Sequence, residues 1–155
     1  GAWEYDIAAP YYKCNMTDIN AALGLGQLSR YDDLLARRRE LIARYNAAFA
    51  DRGLVTLPHT GSHWVSSGHL YLTHAPDRDE AWRNSTITAL AQRGIAANVH
   101  YKPLPLLSAY RNLGYRIEDY PSAYRMYQSE ITLPLHTRLT DQEADYVAEN
   151  FCSLL

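Results

Sequence analysis

Lysine is nearly absent from this chain, which limits any chemistry that needs a primary amine. Only Lys13 and Lys102 occur, against thirteen arginines. A lysine that forms a Schiff base with a carbonyl compound must therefore be one of these two or lie outside the chain. Acidic and basic residues nearly balance at a net charge of −2, so charge gives no general attraction to nucleic acid or to an anionic membrane.

Cysteine and long apolar runs are also scarce. Cys14 and Cys152 lie far apart in the sequence and cannot build a dense disulfide framework, which favours a reduced, cytoplasmic setting. No segment approaches the roughly 18 apolar residues of a membrane-spanning helix, and no signal peptide opens the chain. The first residue is Gly1 rather than methionine, and residues 3–7 already have the pattern of a strand. We therefore expect the chain to begin within a larger protein.

Several motifs that mark common active sites are missing. The sequence contains no Gly-x-Ser-x-Gly motif, no Gly-x-Gly-x-x-Gly motif and no Walker loop. Neither cysteine has a cluster of histidines near it, so no group of residues has the spacing of metal ligands. The sequence thus predicts no metal site and gives no support for a catalytic triad.

Hydrophobic periodicity predicts an α+β fold with a small antiparallel or mixed sheet. Thr17 can cap a first helix, and a second amphipathic helix carries Leu34 near its start and ends at Gly53. Thr140 and Glu143 have the spacing of a capping box for the last helix. The strands predicted between these helices cover residues 54–57, 69–74, 95–101 and 131–133, with further helices after Asp79 and from Pro121.

Three consecutive arginines, Arg37, Arg38 and Arg39, lie in the second predicted helix. A phosphate or nucleic-acid patch is one interpretation of such a triplet, and a solvated helix face is the other. Because the triplet falls within a helical period and Glu40 follows it, we expect these arginines to line mostly the solvent-exposed side.

A possible anion site precedes the first predicted helix. Lys13 and Asn15 are separated by one residue, so alternation in an extended chain places both side chains on the same side. An ammonium group and an amide so placed can donate hydrogen bonds to one phosphate. A surface lysine beside an asparagine of the capping region is the alternative explanation.

Two histidine–tyrosine pairs are candidates for a cleft. His100 and Tyr101 end a predicted strand and are followed by a proline turn, an arrangement that presents side chains into a cleft. The alternative for this pair is simple packing. His69 and Tyr71 lie two residues apart on one strand face, and we expect them to be packed residues of the sheet.

Five segments, in order, are similar to the DegT/DnrJ/EryC1/StrS aminotransferase family. The family's signature helix resembles YKCNMTDINAALGLGQL at residues 12–28, and its connecting helix resembles residues 37–45. Its Trp-His-Leu-Tyr strand resembles SGHLY at residues 67–71, where Gly68 replaces the usual tryptophan. Its last two elements resemble residues 94–104, which include VHYKPL, and residues 133–140, which begin with LPLH. The form of YKCNMTD looks closest to the branch that aminates C4 of nucleotide-linked deoxysugars.

This resemblance implies a fold, a cofactor and site residues. The fold would be the small C-terminal domain of an aspartate-aminotransferase-like (fold type I) enzyme, with its long connecting helices. Residues 1–29 would be the end of the large domain and the signature helix, and residues 30–155 the connecting helix and small domain. Lys13 and Asn15 would bind the phosphate of pyridoxal 5'-phosphate (PLP) in the full-length enzyme, where a homodimer shares each active site across its subunits. His100 and Tyr101 would lie near the nucleotide-sugar substrate.

The same resemblance implies what the chain does not contain. The family's Schiff-base lysine lies in the large domain, upstream of the signature helix, and neither Lys13 nor Lys102 has that context. We therefore expect this chain to carry no catalytic residue and to be inactive alone, although the whole protein would be a transaminase of polysaccharide biosynthesis. Cys14 replaces the family's usual tyrosine, and its side chain should point away from the phosphate. A non-catalytic sugar-binding or regulatory protein on the same fold, and an unrelated α+β interaction module, are the alternatives.

Overall fold

The first helix, α1, covers Asp18–Leu28 in a computed structural model that describes residues 15–155. As predicted, Thr17 is its N-cap, and the Thr17 hydroxyl accepts a hydrogen bond from the backbone N–H of Asn20 at 3.3 Å. None of its residues is buried, and the side chain of Ile19 is 74% exposed. Helix α1 belongs to a compact unit that ends at Asp32. We expect the apolar face of α1 to pack against a large domain or a second subunit of the whole protein.

A second compact unit extends over Asp33–Leu155 and contains the sheet and most of the helices. The long helix α2 begins at Tyr31, just before this boundary. After α1, the helices and strands in chain order are α2 (Tyr31–Phe49), β1 (Val55–Thr56), β2 (Tyr71–His74), α3 (Glu80–Gln92), α4 (Ser108–Asn112), α5 (Pro121–Ser129), β3 (Glu130–Leu133) and α6 (Asp141–Cys152). Short 3₁₀ turns cover Leu104–Leu106 and Ile117–Asp119. Sequence periodicity did not predict α4.

The three strands form an antiparallel sheet in the order β1–β2–β3. A fourth strand was predicted at residues 95–101, and this prediction is wrong in extent. Only Asn98 pairs with the sheet, in an isolated antiparallel bridge to Thr132 with N···O distances of 3.1 and 2.8 Å. The Asn98 side chain accepts a hydrogen bond from the backbone N–H of Val99 at 2.8 Å. Local side-chain bonds of this kind compete with a regular ladder.

One face of the sheet packs against α2 and α6 to form the core. The Tyr45 ring of α2 lies 4.9 Å from that of Tyr71 on β2, and the Phe49 ring meets Phe151 of α6 edge-on at 5.6 Å. All four side chains are buried, and the Tyr45 hydroxyl donates to the carbonyl of Pro134 at 2.9 Å. Aromatic contacts thus tie α2 to the sheet and α6 to α2.

The arginine triplet on α2 does more than line a solvated face. Arg38 donates to the carbonyls of Gly68 at 2.8 Å and Leu135 at 3.1 Å. Arg37 donates to the Leu139 carbonyl at 2.7 Å, and only Arg39 of the three is exposed. The expectation of a mainly solvated triplet is therefore wrong for two arginines, because each satisfies loop carbonyls that would otherwise lose their hydrogen bonds.

The capping box of α6 is present as predicted and gives a direct test of this helix. The Thr140 hydroxyl accepts from Glu143 N at 3.2 Å, and the Glu143 carboxylate accepts from Thr140 N at 2.8 Å. We expect Thr140→Ala to lower the free energy of unfolding by about 1 kcal/mol, because one helix-end donor loses its partner. Urea titration would measure the loss. Thr140→Ser should keep most of the stability, and Gln142→Ala, at an exposed position in the same turn, should change little; equal effects of all three would contradict the assignment.

Candidate functional site

The second face of the sheet carries the polar residues of the candidate site. Side chains alternate along a strand, and Leu72 pairs with Thr132 while His74 pairs with Glu130. These four residues therefore share the face opposite the buried Tyr71 and Ile131. A histidine, a threonine and a glutamate on one short sheet face form a polar surface rather than a second hydrophobic core.

A cavity of about 280 Å³ lies over this face. Most of its wall is apolar, including Leu72, Met126 and Tyr127. Its polar groups come from the sheet, with His74 and Glu130, and from the segment after Asn98, with His100 and Tyr101. An apolar cleft with a few convergent polar groups is the usual form of a small-molecule site.

His100 is held on both its main chain and its ring. Its backbone N–H donates to Glu130 Oε2 at 2.9 Å, and its ring Nδ1 lies 2.9 Å from Thr132 Oγ1. Thr132 Oγ1 in turn donates to Glu130 Oε1 at 2.5 Å. The Tyr101 ring meets the His100 ring edge-on at 4.6 Å and is 71% exposed. The imidazole is thus fixed, whereas Tyr101 is open to a ligand.

Glu130 is the anchor of this arrangement. Only 7% of the residue is exposed, and burial raises the pKa of its carboxyl group above the ordinary value. Hydrogen bonds from Thr132 and His100 and the positive charge of Arg83 oppose this rise in pKa. Arg83 is itself buried, with its guanidinium 4.4 Å from the Tyr127 ring centroid and donating to the Tyr127 carbonyl at 2.6 Å. A buried cation therefore lies behind the cavity and favours the carboxylate.

His74 is held in a similar way at another part of the wall. Its Nδ1 lies 2.7 Å from Ser129 Oγ, and burial is the main cause of a lowered pKa of its imidazole. The cavity therefore presents two histidines, each with one ring nitrogen engaged by a hydroxyl group. Such a wall can hydrogen-bond the hydroxyls of a polar ligand while its apolar part takes up carbon atoms.

The predicted site residues are distributed as follows. The structure brings His100 and Tyr101 together on the cavity. Asn15 is exposed and precedes α1 in the first unit, and Lys13 lies outside the residues that the structure describes. Tyr71 is packed as expected, and its hydroxyl donates to Asn46 Oδ1 at 2.8 Å.

His69 and three site residues differ from the sequence expectations. His69 precedes β2 and is exposed, so its predicted place in the packed sheet is wrong. Sequence reasoning also missed His74, Glu130 and Thr132. The one available signal for the last two was a glutamate and a threonine alternating with Ile131 and Leu133 in a strand.

Residues 15–155 contain neither a membrane-spanning helix nor a cluster of metal ligands. No helix in this range is both long and apolar enough to cross a bilayer. Within the same residues, no three side chains of the types His, Cys, Asp and Glu are grouped so that they could hold a metal ion.

Comparison with known proteins identifies the family. The profile of the DegT/DnrJ/EryC1/StrS aminotransferase family matches residues 3–152, which is almost the whole chain. This chain belongs to the DegT/DnrJ/EryC1/StrS aminotransferase family. The resemblance inferred from the five sequence segments is therefore confirmed, and the reading as an unrelated interaction module is wrong.

Two curated relatives are sugar-pathway proteins. The chain is 37% identical over 153 residues to the spore coat polysaccharide biosynthesis protein SpsC of Bacillus subtilis, covering 96% of this chain and 39% of SpsC. It is 29% identical to the UDP-4-amino-4,6-dideoxy-N-acetyl-beta-L-altrosamine transaminase of Helicobacter pylori, with the same coverage of 96% and 39%. The chain thus spans about two fifths of the length of these relatives.

A solved structure shares the fold over nearly the whole chain. Spr1654 of Streptococcus pneumoniae, a proposed sugar aminotransferase, is 52% identical in its PMP form, with a TM-score of 0.91. The match covers 99% of this chain and 39% of that one. Its PLP form gives the same TM-score of 0.91 at 53% identity, over 98% of this chain and 39% of that one. The predicted α+β fold, that of the small C-terminal domain of an aspartate-aminotransferase-like enzyme, is confirmed.

Proposed function

We propose that the chain is the C-terminal part of a PLP-dependent sugar-nucleotide aminotransferase, which transfers an amino group from glutamate to a keto-deoxysugar nucleotide. Family membership supports the reaction class. A relative described as a UDP-amino-sugar transaminase supports the substrate class. The YKCNMTD segment favours amination at C4 of the sugar. The observation that carries the proposal is a small cavity where His100, fixed on both its main chain and its ring, lies beside the exposed Tyr101.

Lys13 and Asn15 are the residues proposed to hold the cofactor. PLP, when bound, supplies the electron-accepting ring that carries an amino group from donor to acceptor. Asn15 fits this role because its side chain is exposed and it precedes an eleven-residue helix whose N-terminal end favours an anion. Lys13 would add a charge-assisted hydrogen bond to the same phosphate. In a homodimer, these two residues would reach the cofactor of the neighbouring subunit.

His100 and Tyr101 are proposed to contact the sugar nucleotide. The ring of His100 is held by Thr132, so that it binds without a large loss of side-chain freedom. The exposed Tyr101 ring offers an apolar surface and a hydroxyl group to the same ligand. The apolar wall beside them, with Met126 and Tyr127, suits the carbon atoms of a deoxysugar.

The remaining assignments follow from the same proposal. Residues 1–29 would end the large domain and form the signature helix, and residues 30–155 would form the connecting helix and small domain. The large domain would supply the Schiff-base lysine, since neither Lys13 nor Lys102 has that context. This chain alone would be inactive, and the whole protein would act in the cytoplasm as a homodimer.

The test uses the whole protein with glutamate, PLP and a UDP-linked 4-keto-6-deoxysugar. We expect an amino sugar nucleotide in the mass spectrum, and for His100→Ala a KM for the sugar nucleotide about ten times higher, because a hydrogen bond to the ligand is lost. His63→Ala, at an exposed loop position outside the cavity, serves as the matched control. Binding of the sugar nucleotide without any turnover would instead favour the non-catalytic sugar-binding alternative.

A further inference from the structure

A chain of hydrogen bonds joins the buried Glu130 to the ring of His100. Thr132 Oγ1 lies between them, 2.5 Å from Glu130 Oε1 and 2.9 Å from His100 Nδ1. Glu130 Oε2 also accepts from the backbone N–H of His100 at 2.9 Å. Both carboxylate oxygens are thus used within the same small group of residues.

The protons available to these groups fix which of them donates in each hydrogen bond. An ionised carboxylate can only accept hydrogen bonds, and a threonine hydroxyl has one proton to donate. If the Thr132 proton goes to Glu130 Oε1, the hydroxyl must accept from His100, and Nδ1 of His100 must carry a proton. A neutral imidazole with a proton on Nδ1 has an unprotonated Nε2, which is a hydrogen-bond acceptor.

Burial raises the pKa of the Glu130 carboxyl group, whereas the hydrogen bonds from Thr132 and His100 and the charge of Arg83 favour its ionised form. Arg83 is buried, and its positive charge acts on the Glu130 carboxyl group. The other titratable group on this sheet face, His74, is bonded through Nδ1 to Ser129 rather than to Glu130 or Thr132. Among residues 15–155, no hydrogen-bond partner of His100 Nε2 is found, so this nitrogen can meet a ligand.

We propose that Glu130 and Thr132 are positioning residues that fix His100 as a hydrogen-bond acceptor. Glu130 takes the Thr132 proton, Thr132 takes the Nδ1 proton of His100, and Nε2 accepts a hydrogen bond from a hydroxyl group of the ligand. This role of His100 rests on the proposed function and deepens it. It specifies the ligand group that His100 binds, which is a hydrogen-bond donor such as a sugar hydroxyl. The tautomer itself does not depend on the proposed function.

Nitrogen-15 NMR of the imidazole rings tests the tautomer directly in the 155-residue chain. At about pH 8, His100 of the wild type should be mainly in the form with a proton on Nδ1 and none on Nε2. Thr132→Val keeps the side-chain shape but removes the hydroxyl, and it should shift the tautomer ratio toward the Nε2–H form about two- to tenfold. Thr132→Ser should restore the wild-type ratio. Ser129→Ala, the matched control, should alter the spectrum of His74 and leave His100 unchanged.

The outcomes separate this inference from the proposed function. A wild-type His100 in the Nε2–H form would overturn the positioning role of Glu130 and Thr132, as would an unchanged tautomer ratio in Thr132→Val. The wild-type spectrum alone decides this even if a variant fails to fold. In the whole protein, Thr132→Val should raise KM for the sugar nucleotide about two- to tenfold with little change in kcat. The expected tautomer with an unchanged KM would support the positioning of His100 but overturn its contact with the ligand.

Discussion

Lys13→Ala in the whole protein is expected to weaken the binding of PLP about ten- to hundredfold. A hydrogen bond from an ammonium group to a phosphate is worth roughly 1.5–3 kcal/mol, and its loss changes affinity by that factor. Titration of PLP into the apoprotein, followed by absorbance, measures the change. Asn15→Ala should act in the same direction with a smaller effect, because a neutral amide is the weaker donor.

Lys102→Ala is the matched control for this experiment. It removes the only other lysine of the chain, which is exposed and carries no role in the proposed phosphate site. PLP affinity should stay at the wild-type value, and gel filtration should show the same assembly for all variants. An unchanged affinity in Lys13→Ala, with the assembly intact, would remove the basis for the phosphate assignment.

Helix ends in this chain were predictable from sequence because short-range hydrogen bonds define them. Thr17 and Thr140 both act as N-caps at the predicted positions, with partners only three residues away. The amphipathic pattern likewise predicted helix α2, whose buried residues include Tyr45 and Phe49. Such signals depend on neighbouring residues, so they need no knowledge of the tertiary structure.

Features that depend on distant contacts could not be predicted in the same way. Residues 95–101 were predicted to form a strand, yet only Asn98 of this segment pairs with the sheet. Arg38 occupies a helix position that suits solvent, but its partners Gly68 and Leu135 lie 30 and 97 residues further along the chain. Periodicity contains no information about a carbonyl that approaches from another segment.

The candidate site shows the same division. His100 and Tyr101 were identified because a strand end before a proline turn, and the family motif, both pointed to them. Glu130 and Thr132 were missed because their contact with His100 depends on the bridge between Asn98 and β3, a long-range pairing. The sequence thus indicated the residues that would meet a ligand, and the structure adds those that orient them.

The largest change in stability is expected from Phe151→Ala. Phe151 is fully buried, and its ring packs edge-on against Phe49, which joins α6 to α2. Removal of a buried phenylalanine ring costs about 3–5 kcal/mol, from lost burial and from the cavity that remains. Domains of ordinary stability unfold at a cost of about 5–15 kcal/mol, so this single change should remove a large share.

Urea unfolding of the 155-residue chain measures this loss as a lower midpoint at an unchanged slope. Glu149→Ala is the matched control, since this residue lies on the same helix with its side chain exposed, and it should change stability by less than about 0.5 kcal/mol. A loss below about 1 kcal/mol in Phe151→Ala would contradict the packing of α6 against α2.

Because Phe151 belongs to the core and does not line the cavity, the folded variant should keep the wild-type tautomer of His100. A changed tautomer in a folded Phe151→Ala protein would mean that the core, and not only Glu130 and Thr132, sets the orientation of the imidazole.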